Sequence, residues 1–399
     1  MPVGTAVHER TLALCESLNY REWSGYYAVS AYESHHEHEY NAIRNASALI
    51  DVSPLFKYMV TGPDAARLVD RLITRDVSKM AVGQVFYTPW CDEHGRVIDD
   101  GTVSRLDEQV FRWTAADPSL RWFRQNAAGL RVDVVDVSEE VAALALQGPT
   151  SARLLAAVSD INLESLKYFR VASGTIGGAH VDVSRTGYTG DLGYEIWTAS
   201  RNALTVWDAL MSSGRPFDIK PAGMLALDVA RVEAGLLLID VDFFSSKKAL
   251  IESQKYTPYE MGLGRLVSLT KARFIGQQAL RREFAGGPVR QVVGLEIDWT
   301  GVEAIYERLG LPPTVGATAS RTAVPVYRHG RQVGRATTTT WSPVLKKMIA
   351  LATIDRPHFA PGTVLDFEIT VEAVRHHVRA KVVPTPFFNP PRKASPPAL

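Results

Sequence analysis

Ser184-Arg-Thr-Gly-Tyr-Thr-Gly-Asp-Leu-Gly-Tyr-Glu195 joins two segments with strand character and carries three glycines within seven residues. The residues before it, Ala179–Ser184, alternate as a strand, and Tyr194–Trp197 continue as another. Because glycine lets other groups approach the backbone closely, and Tyr188 adds an aromatic ring, this turn could line a ligand site. Glycine-rich hairpins are also common without such a role, so the segment by itself leaves both interpretations open.

Gly95-Arg-Val-Ile-Asp-Asp-Gly101 places two adjacent carboxylates in an otherwise apolar strand, predicted over Val97–Leu106. Adjacent strand residues point to opposite faces of a sheet, so Asp99 and Asp100 cannot share one site. A carboxylate facing an apolar interior is costly unless it is paired or used in chemistry. We therefore expect one of the two to face an interior or a cleft; a pair of surface acids at a strand end is the alternative.

A third segment, Leu227-Asp-Val-Ala-Arg-Val-Glu-Ala-Gly235, is predicted to be helical. Asp228 and Arg231 are three residues apart and can pair on one helix face. A salt bridge on a solvated face is one interpretation. The other makes Arg231 a cationic anchor for a carboxylate ligand, because its planar guanidinium can bind a carboxylate at two positions.

Composition is that of an ordinary globular protein. The 399 residues are 46% hydrophobic and 22% charged, with a net charge of +1. The length predicts two or three domains, and the charge balance predicts no nucleic-acid partner and no anionic-membrane surface. The N-terminus lacks the pattern of a signal peptide and no apolar run approaches a membrane span, so we expect a cytoplasmic protein.

The motifs of several enzyme classes are missing from the sequence. There is no glycine pattern of a dinucleotide-binding or P-loop fold, and no Gly-x-Ser-x-Gly elbow of an α/β-hydrolase. The two cysteines, Cys15 and Cys91, do not have the spacing of a zinc site. We therefore predict no metal site, and we expect activity to survive a chelator.

The order of elements predicts an α+β fold in which helices and strands are segregated. A break near Arg281–Pro288 separates residues 1–285 from a strand-rich region, 286–383, that suits a small barrel, and a proline-rich tail, 384–399, is expected to be extended. Asp64 and Thr150 are candidate N-caps of the helices that follow them. Asp242–Thr257 is polar and poorly patterned, which predicts a long loop.

Taken together, the segments resemble the glycine-cleavage T-protein (aminomethyltransferase) family. The matches occur in order along most of the chain, and the Ser-Arg-Thr-Gly-Tyr-Thr-Gly run is the most specific of them. The matching segments are Asp51-Val-Ser53, Val60-Thr-Gly-Pro-Asp64, Gly95–Gly101, Leu146-Gln-Gly-Pro149, Ser184–Glu195, Arg231-Val-Glu233, Glu260-Met-Gly-Leu263, Phe274-Ile-Gly276 and Ser342-Pro343.

The resemblance implies a three-lobed, ring-like fold with two interleaved α+β lobes, a small C-terminal β-barrel and tetrahydrofolate in a central cavity. It also implies residue roles. Asp100 matches the family's essential aspartate, Tyr188 a residue that lines the folate pocket, Glu195 the glutamate that binds the amino edge of the pterin, and Arg231 a cavity arginine. Tyr87, on the strand before the aspartate pair, is a further candidate for the cavity wall.

The chain departs from the housekeeping members of that family mainly on the substrate side. It has Ser53-Pro-Leu55 where they usually have Ser-His-Met, and Thr114-Ala-Ala-Asp117 where they usually have an asparagine-rich run. Gly101 follows Asp100 where they continue with apolar residues, and there is an insertion near Trp299–Thr322. These departures resemble the divergent branch that demethylates small methylated compounds.

Three functions follow as hypotheses. The first is a methyl or related one-carbon transfer from a small methylated substrate to tetrahydrofolate. The second is the aminomethyltransferase of glycine cleavage, which alone would act on an aminomethyl substrate held by a lipoyl carrier protein. The third is a folate-binding protein without transfer activity that acts in assembly or regulation. Retention of Asp100, Tyr188 and Glu195 together disfavours the third.

Overall fold

A computed structural model describes residues 1–399 of the chain. It contains nineteen strands and nine α-helices. The strands are β1 (Asn19–Trp23), β2 (Tyr26–Ala31), β3 (Ser47–Asp51), β4 (Phe56–Thr61), β5 (Gln84–Cys91), β6 (Val97–Asp107), β7 (Val110–Ala115), β8 (Asp133–Asp136), β9 (Val141–Gln147), β10 (Val171–Ile176), β11 (Ala179–Ser184), β12 (Gly193–Ala199), β13 (Ile219–Pro221), β14 (Arg290–Ile297), β15 (Val324–Arg328), β16 (Arg331–Ser342), β17 (Lys347–Asp355), β18 (Val364–Val371) and β19 (Val374–Val383). The helices are α1 (His8–Leu14), α2 (Glu37–Asn45), α3 (Ala65–Leu72), α4 (Leu120–Asn126), α5 (Ser151–Val158), α6 (Ala203–Ser213), α7 (Met224–Glu233), α8 (Gln277–Gly286) and α9 (Trp299–Arg308).

Two sheets in the first 285 residues are interleaved along the chain. A six-stranded sheet has the order β10-β11-β12-β9-β3-β13, and a five-stranded sheet has the order β5-β6-β7-β4-β8. The chain enters the first sheet at β3, builds the whole second sheet, and returns to pair β9 with β3. Only the six-stranded sheet is discontinuous in sequence, because the whole five-stranded sheet is inserted between its strands β3 and β9.

A closed barrel forms the third lobe, in the order β14-β17-β16-β15-β18-β19, and β14 pairs with β19 to close it. Its interior is filled by apolar side chains such as Leu295, Ile354 and Phe367. The predicted α+β fold with a C-terminal small β-barrel is therefore confirmed. None of the helices has the length and apolar character that crossing a bilayer would require.

Several local predictions were wrong. The side chain of Asp64 does not cap α3 and instead accepts a hydrogen bond from the backbone N–H of Arg131. Thr150 does not cap α5, since its hydroxyl contacts Ser47 and the carbonyl of Phe217. Both caps were predicted from residue type alone. In each case the side chain instead forms a hydrogen bond with a residue distant in sequence.

Two predictions about the barrel region also need correction. The predicted break begins inside a helix, because α8 continues to Gly286 and the chain turns only at Gly287. The insertion in the strand-rich region contains helix α9, which the strand pattern did not predict. Trp299 at its start packs edge-on against Trp341 of the barrel, with 4.9 Å between ring centroids.

The carboxylate of Glu233 at the end of α7 links the lobe of the six-stranded sheet to the barrel. It is fully buried and accepts hydrogen bonds from Tyr40 (2.6 Å), from Nε of Arg44 (2.9 Å) and from Ser342 of the barrel (2.5 Å). Arg44 continues the network to Asp191 in the loop before β12. A buried carboxylate is tolerated only with such partners, so this group fixes how α2, α7 and the barrel meet.

The proline-rich tail, residues 384–399, packs back onto the first two lobes. Arg392 forms a two-bond ion pair with Asp191 at 2.6 and 2.8 Å, and the ring of Phe388 lies 4.6 Å from the guanidinium of Arg44. Arg185 donates to three tail carbonyls. The tail thus holds the loop Ser184–Glu195 in place from outside.

Gly101 is explained by the packing of β6 against β7. A Cβ atom at this position would lie 2.1 Å from the carbonyl oxygen of Thr114 and 3.4 Å from the ring of Trp90. No side chain fits there, and the hydroxyl of Thr114 uses the close approach to bond the N–H of Thr102 at 3.1 Å. The residue after Asp100 therefore reflects local sheet packing and does not by itself indicate a change of chemistry.

We predict that Gly101→Ala lowers the free energy of unfolding by about 1–3 kcal/mol, because the strand must shift to relieve the contact with Thr114. Urea denaturation followed by circular dichroism measures the change. Gly286→Ala is the matched control, since no heavy atom lies within 4 Å of a Cβ placed there. A Gly101→Ala protein as stable as the Gly286→Ala protein would contradict this account of Gly101.

Candidate functional site

The two sheets approach one another through faces that carry several charged side chains. In β7, Phe111 and Trp113 point into the core of their lobe, so Arg112 between them points the other way. It donates to Asp182 of β11 at 2.7 Å, and its guanidinium lies 4.7 Å from the ring centroid of Trp197 in β12. Alternation along the strands therefore directs a set of polar side chains towards the space between the sheets.

Asp100 and Tyr87 face this space from the five-stranded sheet. The Tyr87 hydroxyl donates to Oδ2 of Asp100 at 2.5 Å, and both side chains keep part of their surface accessible although they lie deep in the protein. Burial raises the pKa of Asp100 to about 6, and the hydrogen bond from Tyr87 acts in the opposite direction. The carboxyl group is thus poised to change its charge close to neutral pH.

Asp99 points away from this space, as strand alternation predicts. It is fully buried, and its carboxylate accepts hydrogen bonds from the backbone N–H groups of Asp100 (2.8 Å), Ala116 (3.1 Å) and Asp117 (3.0 Å). Burial, followed by the charge of Asp100, raises its pKa well above the usual range. Asp99 orders the chain after β7, and Asp100 is the member of the pair available to a ligand.

The glycines of the loop Ser184–Glu195 make room for protein rather than for a ligand. Cβ atoms at Gly187 and Gly193 would lie 2.1 and 2.3 Å from Oε1 of Gln147, and one at Gly190 would lie 2.5 Å from Cβ of Ala234. The amide of Gln147 donates to the carbonyls of Thr186 and Tyr194. The expectation that these glycines admit a ligand to the backbone is therefore corrected.

Glu195 faces the inner space from β12, between Tyr194 and Ile196, which point into the core. Thr186 donates to its Oε2 at 2.5 Å, and Ser184 contacts Thr186 at 2.8 Å. Burial raises the pKa of Glu195, while the hydrogen bond from Thr186 and the charge of Arg112 lower it. The carboxylate keeps accessible surface, so it can accept further hydrogen bonds.

Tyr188, in the loop before β12, lies within range of the charge of Asp100. Its hydroxyl donates to the backbone carbonyl of Leu237, which fixes the ring. Burial and then the charge of Asp100 raise its pKa, while the charge of Arg231 lowers it. Tyr87, Asp100, Tyr188 and Arg231 are thus within electrostatic range of one another, and Tyr188 stays a neutral aromatic wall.

Arg231 is completely buried, and its guanidinium is already bonded to protein groups. Nη1 is paired with Asp242, and Nη2 donates to Thr338 of the barrel at 2.9 Å. The spacing of Asp228 and Arg231 does bring them together, with 3.9 Å between Oδ1 of Asp228 and Nε of Arg231, but both are buried, so the solvated face of that interpretation is wrong. Asp228 accepts a closer hydrogen bond from Arg321 at 2.6 Å. Arg231 is therefore held rigidly next to Tyr188, and its direct contact with a ligand stays a prediction.

The sequence did not point to Arg112, Thr186 or Asp242. The apolar residues Phe111 and Trp113 carried a usable signal, because alternation around them puts Arg112 on the opposite face. Asp242 carried none, since it lies in a segment with no periodicity, and its partners Thr337 and Thr338 are distant in sequence.

Two family models match the chain. The GCVT N-terminal domain matches residues 5–271, and the glycine cleavage T-protein C-terminal barrel domain matches residues 290–389. The crystal structure of the glycine cleavage system aminomethyltransferase T from Bartonella henselae superposes with a TM-score of 0.82, covering 98% of this chain and 99% of that chain at 21% identity, which is a likeness of fold.

Two relatives in sequence have different names. An aminomethyltransferase of Halothermothrix orenii is 34% identical over 354 residues, which are 88% of this chain and 90% of that protein. A trimethylamine-oxide aldolase of Ruegeria pomeroyi is 35% identical over 404 aligned positions, which cover 98% of this chain but 47% of that longer protein. The two family models together match most of the chain, and the alignments with these two relatives cover 88% and 98% of it. The chain therefore belongs to the glycine-cleavage T-protein (aminomethyltransferase) family.

Proposed function

We propose that this protein is a tetrahydrofolate-dependent transferase that moves a methyl or related one-carbon group from a small methylated substrate to tetrahydrofolate. The observation that carries the proposal is the Asp100 carboxyl, deep but accessible on the inner sheet face and hydrogen-bonded by Tyr87 at 2.5 Å. Such a group can bind a nitrogen-bearing ligand and can change its charge near neutral pH.

The residues present suit tetrahydrofolate. Glu195 offers a carboxylate to the amino edge of a pterin, and the rings of Tyr87 and Tyr188 offer flat walls for it. These features support the proposal, while the assignment of each side chain to the cofactor stays a prediction. Tetrahydrofolate supplies the nitrogen that accepts the one-carbon unit.

The protein groups would then act mainly by position and charge. Asp100 would orient the folate and stabilise positive charge that develops during transfer, or assist the movement of a proton. Enclosure of both reactants between the sheets would supply much of the acceleration, because it replaces an encounter in solution by a fixed geometry. Arg231, bonded to Asp242 and Thr338, would hold the residues around Tyr188 in a fixed position.

The segment inserted after α9 reaches the surroundings of the candidate site. Arg321, which belongs to the inserted segment after α9, reaches α7 and binds Asp228 through both of its carboxylate oxygens at 2.7 and 2.6 Å. Arg21 from β1 reaches the same carboxylate at 3.3 Å. A segment that departs from the housekeeping pattern therefore contributes to the surroundings of the site, and a relative that covers nearly the whole chain acts as a trimethylamine-oxide aldolase by name.

The aminomethyltransferase of glycine cleavage is the second candidate, favoured by the names of several relatives that are 33–35% identical to this chain. It would require an aminomethyl group carried on a lipoyl protein. The donor separates the two functions, and the product gives the oxidation level of the unit: methyl transfer gives 5-methyltetrahydrofolate, whereas an aminomethyl group or another unit at the formaldehyde level gives 5,10-methylenetetrahydrofolate. Incubation with tetrahydrofolate and a panel of methylated donors, beside a lipoylated carrier with its aminomethyl load, tests both.

With the donor that proves active, we expect Asp100→Asn to lower turnover by about 10²–10⁴-fold, because the amide neither carries charge nor transfers a proton. Far-ultraviolet circular dichroism checks that the variant is folded. Asp107→Asn, at the exposed end of the same strand, is the control and should turn over like the wild type. Undiminished turnover in Asp100→Asn would eliminate the assignment.

The pH dependence of kcat/KM gives a second test. If the Asp100 carboxylate is the active form, the rate is lost as the pH falls through its pKa of about 6. Tyr87→Phe removes the hydrogen bond that lowers this pKa, so the acid limb should move to higher pH by on the order of one unit. Tyr306→Phe in the barrel lobe is the control. An acid limb that stays in place in Tyr87→Phe would show that another group governs it.

A further inference from the structure

Arg112 has an unusual environment for a buried arginine. Only 5% of its surface is exposed, and only Nη1 has a partner, Asp182, at 2.7 Å. Both Nε and Nη2 are buried without a hydrogen-bond partner, and no other residue of the chain has two such atoms. Buried donors without partners destabilise a fold, so the position calls for an explanation beyond packing.

A continuous set of contacts runs from Arg112 to Glu195. The guanidinium lies over the ring of Trp197, whose Nε1 donates to the Ser184 hydroxyl at 3.3 Å. Ser184 contacts Thr186 at 2.8 Å, and Thr186 donates to Oε2 of Glu195 at 2.5 Å. The set crosses from the five-stranded sheet to the six-stranded sheet and ends on the carboxylate that faces the inner space.

The charges around Arg112 also connect this residue to Glu195. Asp182 bonds one edge of the Arg112 guanidinium, but its side chain is 19% exposed and also accepts from Ser173, so it compensates the buried cation incompletely. Glu195 is the other carboxylate whose charge acts on Arg112. A cation in a medium of low dielectric constant stabilises a nearby anion strongly, so the two side chains favour each other's charged forms.

We propose that Arg112 is a positioning residue that keeps the Glu195 carboxylate ionised and aimed into the space between the sheets, where it accepts hydrogen bonds from the ligand's N–H groups. The inference rests on the proposed function, because it takes tetrahydrofolate as the ligand at Glu195. Arg112 acts through Glu195 and through the Trp197–Ser184–Thr186 contacts, and it does not itself need to touch the cofactor.

The expected signature is a change in how tetrahydrofolate binding depends on pH. Binding that needs the carboxylate is present above the pKa of Glu195 and is lost as the pH falls through it. Arg112 lowers this pKa, so its removal must move the loss of binding to higher pH. A merely structural role would weaken binding by the same factor at every pH.

The titratable groups near the pair are Asp182, Tyr168, Lys57, Asp100 and His180, whose Nε2 lies 3.7 Å from Oδ1 of Asp182. Tyr168 faces Glu195 and stays neutral, because burial raises its pKa. Lys57 on β4 faces Arg112, and burial lowers its pKa to about 8, so it remains largely protonated up to about pH 7. Asp100 titrates within this range, but it does so in every variant, and a Glu195→Gln background separates its contribution.

The experiment measures the Kd of tetrahydrofolate by anaerobic calorimetry in the full-length protein, from pH 4.5, the ordinary pKa of a glutamate, to about 7. We expect Arg112→Met to move the midpoint of the pH profile upward by about one unit, which is about tenfold in Kd below the midpoint. Arg112→Lys, which keeps the positive charge, should restore most of the wild-type profile. In the Glu195→Gln background, Arg112→Met should leave the profile where it is.

Asp182→Asn is the matched control for the ion pair. It breaks the same contact but leaves the cation beside Glu195, so the midpoint should stay or move downward. Equal upward shifts in Asp182→Asn and Arg112→Met, or an unmoved midpoint in Arg112→Met, would overturn the role of Arg112. A wild-type protein that binds no tetrahydrofolate at any pH would instead overturn the proposed function itself.

Discussion

The buried carboxylate of Glu233 is the interaction on which the junction between the lobe of the six-stranded sheet and the barrel depends. It receives hydrogen bonds from α2 through Tyr40 and Arg44 and from the barrel through Ser342, and Arg44 extends the set to Asp191. Removal of one partner from a buried ion pair typically costs about 3–5 kcal/mol, because a charge is left without compensation. The same network anchors the loop that carries Tyr188, so the geometry of the site is linked to the packing of the lobes.

The two sheets of the first 285 residues determine where the candidate site lies. Each sheet buries one face in a hydrophobic core, and alternation leaves Asp100 and Arg112 on the inner face of one and Glu195 on the inner face of the other. The site is thus assembled from strands rather than from flexible loops, which holds polar groups in a fixed orientation. The glycines of the loop Ser184–Glu195 leave space for the side chain of Gln147. The amide of Gln147 donates a hydrogen bond to the backbone of this loop and so stabilises it.

Sequence reasoning succeeded where a local rule applied and failed where the partner was distant. Alternation alone separated Asp99 from Asp100, and the structure places them on opposite faces as expected. The helix spacing of Asp228 and Arg231 suggested a pair, but each side chain has a closer partner elsewhere, Arg321 for one and Asp242 for the other. Gly101 seemed to mark a change of chemistry, and the carbonyl of Thr114 explains it instead.

The sequence by itself determined the family resemblance, the α+β class, the barrel and the opposite faces of Asp99 and Asp100, because these depend on strand periodicity and short ordered motifs that survive without knowledge of contacts. Only the tertiary structure decided that Tyr87 bonds Asp100, that Arg231 is held by Asp242, and that Arg112 lies between Asp182 and Trp197. The physical reason is that burial and charge are properties of neighbours in space. In an interleaved fold those neighbours come from strands that can be more than a hundred residues apart, as in the pairing of Ser47 with Ile219, and no local pattern records them.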